Sequence, residues 1–318
     1  MEAAPAILWG FLRGALMTRA IAVAADLGIP AALADGPEHV GRLADEVGAN
    51  PDTLQRLLSA LAADGVFREC EPGVFANTEA SDLLLDASQS ALAHLFGGAY
   101  FRAIAELDAS GDQQPFRRAF GTDFWSWLSE HPEERTAFDQ AMLNGVQLRV
   151  EQLASLDWRG DEVVVDLGGG NGALLVELLR DRPDMRGILF DSSEAVRDDR
   201  PLDDRIELVV GSFFERVPAG DVYILSAVVH DWDDEAAGSI LRTIRTCAPR
   251  RARLVVIDGV LGPESGSAWR WADLHLLAVL GGRERDETQW RSLLAAGGFE
   301  PVSIRNGLIE ARPISPTT

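Results

Sequence analysis

The feature that most constrains the fold is a glycine-rich segment, residues 163–172, which reads Val-Val-Val-Asp-Leu-Gly-Gly-Gly-Asn-Gly. Its β-branched beginning is typical of a buried parallel strand that is covered on both faces. The glycines then lead into residues 173–180, where apolar side chains recur at helical spacing. Strand, glycine turn and helix together form the first half of a nucleotide-binding βαβ unit, and a tight turn without a ligand is the alternative.

Two acidic residues at strand ends are candidates for ligand contacts. Asp166 ends the first strand, and Asp191 ends the next one, Gly187-Ile-Leu-Phe-Asp191. Glycines such as Gly168 and Gly170 allow a ligand to approach the backbone closely. An acidic side chain at the end of the second strand accepts hydrogen bonds from ribose hydroxyls in such units, and an ordinary helix cap is the alternative for Asp191.

From residue 162 onward, short apolar strands alternate with helical segments. This alternation predicts an α/β fold with a doubly wound, mainly parallel, seven-stranded sheet of the Rossmann-like kind. Ligands of such sheets bind beyond the carboxyl ends of the strands. The predicted strands are 162–167, 187–191, 206–210, 221–226, 252–258, 300–305 and 307–312.

The N-terminal part of the chain reads as a separate helical domain. Residues 6–27 are apolar nearly all round, which predicts a helix buried against its own domain or against a second subunit. Two short helices at 39–47 and 52–63 and a hairpin-like stretch at 65–77 have the order of a winged helix. The second short helix offers only Arg56 for reading bases, so we expect a scaffold or dimerisation role rather than DNA binding.

Composition narrows the partners and the compartment. The net charge of −21, from 50 acidic and 29 basic side chains, disfavours nucleic acid as a partner. Cys70 and Cys247 lie far apart, without metal-ligand spacing, which favours a reducing compartment. The sequence has neither an uninterrupted apolar run of 18 residues nor a charged signal-peptide start, so no membrane contact and a cytoplasmic location are expected.

The segment after the fourth strand carries the side chains best suited to proton transfer. The strand at 221–226 places His230 and Asp231 beyond its carboxyl end, where a histidine can take a proton near neutral pH. Asp258, at the end of the fifth strand, and Glu284, in the turn 281–285, are candidates for orienting this histidine. A structural histidine and surface or capping carboxylates are the alternatives. The acidic clusters at 198–204 and 231–234 lack the spacing of an EF-hand or zinc site, so we expect solvated caps and no metal.

Taken together, these stretches resemble the class I S-adenosylmethionine-dependent small-molecule O-methyltransferases. That family includes plant caffeate and flavonoid enzymes and bacterial enzymes that tailor aromatic antibiotics. The resemblance covers nearly the whole chain, and its most specific part runs from Gly211 to Glu235. It comprises the N-terminal helical domain and residues 166–172, 190–191, 211–214 (Gly-Ser-Phe-Phe), 230–235 (His-Asp-Trp-Asp-Asp-Glu), 281–285 (Gly-Gly-Arg-Glu-Arg) and 297–299.

The resemblance implies S-adenosyl-L-methionine as the cofactor and no metal. It places the cofactor on Asp166, Gly168, Gly170, Asp191, Ser212, Phe213 and Ser226. Within that set the glycines hold the methionine part, Asp191 the ribose, and Ser212 with Phe213 the adenine. Three departures stand out: Ser212 replaces an acidic residue, Ser226 replaces a frequent basic one, and the crossover after Asp191 is short.

The resemblance also implies methyl transfer to a hydroxyl of a small aromatic secondary metabolite. In that mechanism His230 is the general base, framed by Asp258 and Glu284. It further implies a homodimer with intertwined N-terminal helices, built from a winged-helix-like dimerisation domain (1–100), a helical linker lining the substrate pocket (101–157) and a catalytic domain (158–318). Substrate contacts are expected from Phe138, Met142, Asp231, Trp271 and His275.

Other functions stay open on the sequence. A relative of this family can methylate nitrogen or carbon, or can have lost methyl transfer. An NAD-dependent oxidoreductase is a second class, because Gly168-x-Gly170-x-x-Ala173 also matches the dinucleotide fingerprint. A ligand-sensing regulator that binds DNA through the winged-helix-like domain is a third, and it predicts salt-dependent DNA affinity.

Overall fold

A computed structural model of the chain describes residues 4–109, 113–192 and 202–314. The chain forms two compact units. The first comprises Met1–Glu106 and Trp125–Asn144, and the second comprises Leu107–Phe124 and Gly145–Thr318. Residues 101–157, predicted to be one linker, are therefore shared between the units, and the three functional domains stay a prediction.

Helices dominate the first unit, and helices and strands alternate in the second. The helices are α1 (Ala4–Leu12), α2 (Gly14–Asp26), α3 (Ile29–Ala32), α4 (Val40–Val47), α5 (Pro51–Ala63), α6 (Glu79–Asp82), α7 (Ala87–Gly97), α8 (Ala99–Ala105), α9 (Pro115–Phe120), α10 (Phe124–Glu130), α11 (Pro132–Ala141), α12 (Val146–Ala154), α13 (Ala173–Leu179), α14 (Asp234–Cys247), α15 (Ser267–Val279) and α16 (Glu287–Ala296). The strands are β1 (Glu38–His39), β2 (Phe67–Glu71), β3 (Val74–Asn77), β4 (Val163–Leu167), β5 (Arg186–Asp191), β6 (Ile206–Val210), β7 (Val222–Ser226), β8 (Arg253–Ile257), β9 (Val260–Leu261), β10 (Arg285–Asp286), β11 (Phe299–Arg305) and β12 (Leu308–Pro313). Short 3₁₀ helices lie at Leu83–Leu85 and Val229–Asp231.

The winged-helix layout predicted for the first unit is present. Helices α4 and α5 lie between β1 and the β2–β3 hairpin along the chain, and the three strands form an antiparallel sheet of order β1-β3-β2. The Asn50 side chain accepts a hydrogen bond from the Thr53 N–H at 3.0 Å, and Pro51 follows at the first helical position, so α5 begins one residue before the predicted start at residue 52. Helix α4 begins one residue later than expected, at Val40, because His39 caps it through its side chain.

A helix packed within its own domain would bury its apolar side chains. The apolar N-terminal segment instead leaves most of its large side chains exposed. It is two helices, α1 and α2, which are separated at Arg13. The exposed large side chains of this segment are Ile7, Leu8, Trp9, Phe11, Leu12 and Leu16, and Phe11 is 77% exposed. By length and composition alone, Ala4–Asp26 could also cross a membrane, a test that signal sequences and core helices of soluble proteins pass too.

The second unit contains the predicted seven-stranded sheet, in the order β11-β12-β8-β7-β4-β5-β6. Strands β8, β7, β4, β5 and β6 are parallel, whereas β12 and β11 form an antiparallel edge. Alternate residues of β4 enter two hydrophobic cores, one on each face of the sheet. Val165 packs with residues of α14 and α16, and Val164 packs with residues of α13.

The carboxyl ends of the parallel strands converge at one edge of this sheet. Asp166 lies near the end of β4, Asp191 ends β5, Ser226 ends β7 and Asp258 directly follows β8. Four residues singled out from the sequence are thereby brought to the edge where doubly wound sheets bind their ligands.

Candidate active site

A short turn after β7 carries His230. Ala227 has a left-handed φ of 55°, which residues with a side chain rarely adopt, and the 3₁₀ helix Val229–Asp231 follows. His230 Nδ1 lies 3.1 Å from Glu284 Oε1 and 3.8 Å from Asp258 Oδ1, and the His230 backbone N–H donates to Asp258 Oδ2 at 3.1 Å. The structure thus brings together the three residues predicted to form the catalytic group.

Asp231 lies at the other ring nitrogen of His230. Its Oδ1 is 3.5 Å from His230 Nε2, and its side chain is buried. The expectation of solvated caps at 231–234 is therefore wrong for Asp231, because the 3₁₀ turn folds its carboxylate inward. It holds for Asp233, whose side chain accepts a hydrogen bond from the Ala236 N–H and caps α14.

Electrostatics within this group favour a protonated imidazole. Burial disfavours the charged ring, but Asp258, Glu284 and Asp231 outweigh it and raise the pKa of His230 to about 10. Burial raises the pKa of Asp231 to about 7 and that of Asp258 to about 6, with His230 acting in the opposite direction. His275 behaves differently: burial, assisted by the nearby His230 charge, lowers its pKa to about 4.

The glycine turn after β4 is closed on one side and open on the other. A Cβ at Gly168 would lie 2.9 Å from Val228 Cγ2, whereas no described atom lies within 4 Å of a Cβ at Gly170. The Gly170 N–H donates to Asp191 Oδ2 at 2.8 Å, so Asp191 stabilises the turn. Gly168 has a φ of 71°, a conformation that favours glycine.

Three buried oxygens at this edge are unsatisfied among the described residues: Asp166 Oδ2 on β4, Ser226 Oγ on β7 and Asp258 Oδ1 after β8. An orphaned buried polar atom costs about 1–3 kcal/mol, so a ligand that pairs with it gains binding energy. Burial first, and Asp191 second, raise the pKa of Asp166 to about 7, while Arg149 acts against them. An acceptor and a hydroxyl beside an open glycine turn fit a cofactor that carries an ammonium group and hydroxyls.

Ser212 and Phe213 follow β6, beside the glycine turn. Phe213 Cε1 would lie 3.7 Å from a Cβ at Gly168, and the Phe213 ring meets Trp232 edge-on at 6.1 Å. The Ser212 Oγ accepts a hydrogen bond from the Phe214 N–H at 3.3 Å. Phe213 therefore presents an aromatic wall next to the turn, whereas Ser212 engages its own loop.

Arg149 on α12 is a charged residue near the carboxyl edge that no sequence motif marks. Burial lowers the pKa of its guanidinium, while the carboxylates of Asp166 and Asp258 act to raise it. The second unit thus places a cation near both carboxylates. No spacing signal marks it, because α12 precedes the glycine-rich strand and only tertiary packing places Arg149 beside it.

The predicted substrate residues fall in both units. Trp271 and His275 lie one helical turn apart on α15 of the second unit, with Trp271 68% exposed. Phe138 and Met142 belong to the first unit, where the Phe138 ring meets Trp125 edge-on at 5.5 Å. Their contacts with substrate stay predictions.

No group of three or more His, Cys, Asp or Glu side chains among the described residues has a geometry that could hold a metal ion. The acidic loop 198–204 falls largely outside the described residues, as does most of the short crossover after Asp191.

Comparisons with known proteins agree with this architecture. Residues 101–300 match the family model of the O-methyltransferase domain, and residues 9–87 match that of the O-methyltransferase dimerisation domain. Phenazine O-methyltransferase PhzM of Lysobacter antibioticus is 35% identical over 97% of this chain and 96% of its own length. A mitomycin biosynthesis 6-O-methyltransferase of Streptomyces lavendulae is 38% identical over 91% of this chain and 87% of its own.

A solved structure extends the comparison to a ligand complex. It is the O-methyltransferase NcsB1 from neocarzinostatin biosynthesis, crystallised with S-adenosyl-L-homocysteine and 1,4-dihydroxy-2-naphthoic acid. It superposes with a TM-score of 0.83 at 31% identity, covering 94% of this chain and 96% of that one. With the seven-stranded sheet, the glycine turn and the N-terminal dimerisation domain, these matches show that the chain belongs to the S-adenosylmethionine-dependent O-methyltransferase family.

Proposed function

We propose that this protein methylates a hydroxyl group of a small aromatic secondary metabolite and that His230 is the general base. The observation that carries the proposal is the partly buried His230 ring, which Glu284 holds at Nδ1 while the turn sits at the carboxyl edge of the sheet. The names of the relatives support an aromatic acceptor, since phenazine and dihydroxynaphthoic acid are aromatic.

Each catalytic side chain has a distinct task in this mechanism. When bound, S-adenosylmethionine supplies a methyl group that is already activated by its sulfonium. With a proton on Nδ1 donated to Glu284, His230 Nε2 accepts the proton of the acceptor hydroxyl as the oxygen attacks. Asp258 holds the backbone of His230, because Asp258 Oδ2 accepts a hydrogen bond from the His230 N–H. These contacts fix the direction in which the base faces.

The rate then depends on positioning and on proton transfer. Alignment of acceptor and methyl carbon is worth about 7–11 kcal/mol at its upper limit. General base assistance contributes about 10²–10⁴-fold. A protonated His230, stabilised by three carboxylates, has a proton affinity close to that of a phenol, whose pKa is about 10, so the transfer is nearly balanced.

The cofactor would lie along the edge formed by β4, β5 and β7. Asp166 and Ser226 carry two of the unsatisfied oxygens and suit the ammonium end, while Arg149 has the charge that suits the carboxylate of the methionine part. Asp191 is assigned to the ribose. The remaining contacts of this proposed cofactor site come from Gly168, Gly170, Ser212 and Phe213.

Five residues are proposed to contact the acceptor: Phe138, Met142, Asp231, Trp271 and His275. A hydroxyl acceptor is favoured over a carbon acceptor because a base at the carboxyl edge of the sheet can take the proton that a hydroxyl loses when it is methylated. An amine stays the alternative. We further propose a homodimer built on α1 and α2, and a cytoplasmic location.

The first test is substitution of the base. In His230→Gln, turnover of a phenolic acceptor should fall by about 10²–10⁴-fold, because the base contribution is lost. The dissociation constant for S-adenosylmethionine, measured by calorimetric titration, should stay within about twofold, because the cofactor contacts lie elsewhere. A matched control is His39→Gln, which replaces an exposed histidine of the first unit.

Two results would contradict the proposal. Undiminished turnover in His230→Gln would remove this histidine from the mechanism. Calorimetric binding of NADH in place of S-adenosylmethionine would contradict the assigned cofactor site.

A further inference from the structure

We propose that Arg285 is a positioning residue that holds the turn carrying His230 in its working geometry. The inference deepens the proposed function, because it rests on His230 being the base. Arg285 directly follows Glu284 in the chain and begins β10.

The Arg285 side chain is fully buried, and its donors reach both sides of the His230 turn. One terminal nitrogen donates to the Val229 carbonyl at 3.1 Å, and the other donates to the Trp232 carbonyl at 2.8 Å. Its Nε donates to Asp234 Oδ1 at 2.8 Å. The two carbonyls directly flank the pair His230–Asp231, so the guanidinium clamps the backbone on which the base is mounted.

The chemistry of this clamp is specific to arginine. Burying a charge is costly unless every donor is partnered, and here the planar fork meets two carbonyls and a carboxylate at once. The Arg285 guanidinium also lies 5.6 Å from the centroid of the Trp290 ring, which supports it from the core. A lysine would keep the positive charge as a single point and lose the fork.

The neighbouring residues hold the same turn from the other side. The Arg283 N–H donates to the His230 carbonyl at 2.8 Å, and a Cβ at Gly282 would lie only 2.0 Å from that oxygen. Glu284 meets the ring itself at Nδ1. Four consecutive residues therefore contact one turn, and Arg285 is the member that ties both of its ends together.

The clamp is anchored to β9, which begins two residues after Asp258. Arg285 pairs with Val260 in the short parallel ladder between β10 and β9, two residues beyond Asp258. The Arg285 charge also acts to lower the pKa of Asp258. Movement of this guanidinium would thus change both the geometry and the charge balance around His230.

Charge and geometry are separated by two substitutions. Arg285→Lys keeps the charge but loses the fork, and Arg285→Met loses both. If positioning dominates, both variants should lose about 10²-fold in kcat, the typical cost of a misplaced catalytic group, with cofactor affinity unchanged. The Met variant should additionally move the rising limb of the pH–rate profile to higher pH, because removing a nearby positive charge raises the pKa of His230.

Three comparisons keep the test decisive. Arg291→Lys, an exposed arginine on α16, is the matched control and should keep full activity. If Arg285→Lys does not fold, Asp234→Asn, which changes the largely exposed carboxylate paired with Arg285, should give a smaller loss of kcat through the same clamp. In a His230→Gln background, Arg285→Lys should cost no further kcat, because the clamp acts through that histidine.

Full kcat in Arg285→Lys would overturn the positioning role while leaving His230 as the base. Full kcat in His230→Gln alone would instead overturn the proposed function. Additive losses in the double variant would show that Arg285 acts independently of His230 and would overturn the clamp.

Discussion

Three buried carboxylates surround the His230 imidazole, and together they determine how the reaction should depend on pH. Asp258 and Glu284 face Nδ1, and Asp231 faces Nε2. The positively charged ring is favoured below its raised pKa of about 10, so the neutral base grows in population as the pH rises toward that value. The protonation state of one residue therefore controls the active fraction of the enzyme.

We expect kcat/KM to rise roughly tenfold per pH unit from neutral pH until it levels off near the pKa of His230. In Glu284→Gln one negative charge is lost, so the pKa of His230 falls and the rising limb moves to lower pH. A pH–rate profile of both proteins with a saturating cofactor measures this shift. Glu287→Gln, an exposed glutamate on α16, is the control and should leave the profile in place; a profile of Glu284→Gln that moves upward or stays put contradicts the assignment.

At the scale of elements, α1 and α2 present apolar surface that their own unit leaves exposed. Large side chains such as Leu8, Phe11 and Leu16 are all more than half exposed. Contiguous apolar surface of this kind marks an interaction site, and residues 9–87 match a dimerisation domain. We therefore expect the partner of this surface to be the same helices of a second copy of the chain.

Charge on this face should separate the subunits. We expect Phe11→Glu combined with Leu16→Glu to give the mass of a monomer by light scattering, because each buried carboxylate would lack a partner. Val302→Glu is the matched control, since Val302 is an exposed apolar residue on β11 and should leave the dimer intact. A double variant that keeps the wild-type mass would exclude α1 and α2 as the interface.

At the scale of the whole molecule, cofactor binding should appear as stability. A ligand at about 100 times its dissociation constant stabilises the native state by about 2.7 kcal/mol. S-adenosylmethionine and S-adenosylhomocysteine should each raise the melting temperature by several degrees in thermal denaturation, whereas NADH should not. A shift with NADH alone would contradict the cofactor assigned to the glycine turn.

Sequence periodicity was sufficient for the sheet and for the ligand edge. Strands β4, β7 and β8 are short, largely apolar runs that are buried on both faces, and such runs are distinctive along the chain. Asp166, Asp191 and His230 were placed correctly at the carboxyl edge because a parallel sheet sends all such ends to one side. The alternation of strands and helices can be recognised from residues that are close together in the chain.

Sequence alone therefore determined the architecture, the cofactor edge and the identity of the candidate base. Tertiary structure decided what surrounds that base: the inward fold of Asp231, the approach of Arg149 and the clamp of Arg285. Those side chains come from α12, β10 and a 3₁₀ turn that are remote from one another in the chain. Their roles depend on burial and on distances of a few ångströms, which no periodic pattern in a single sequence encodes.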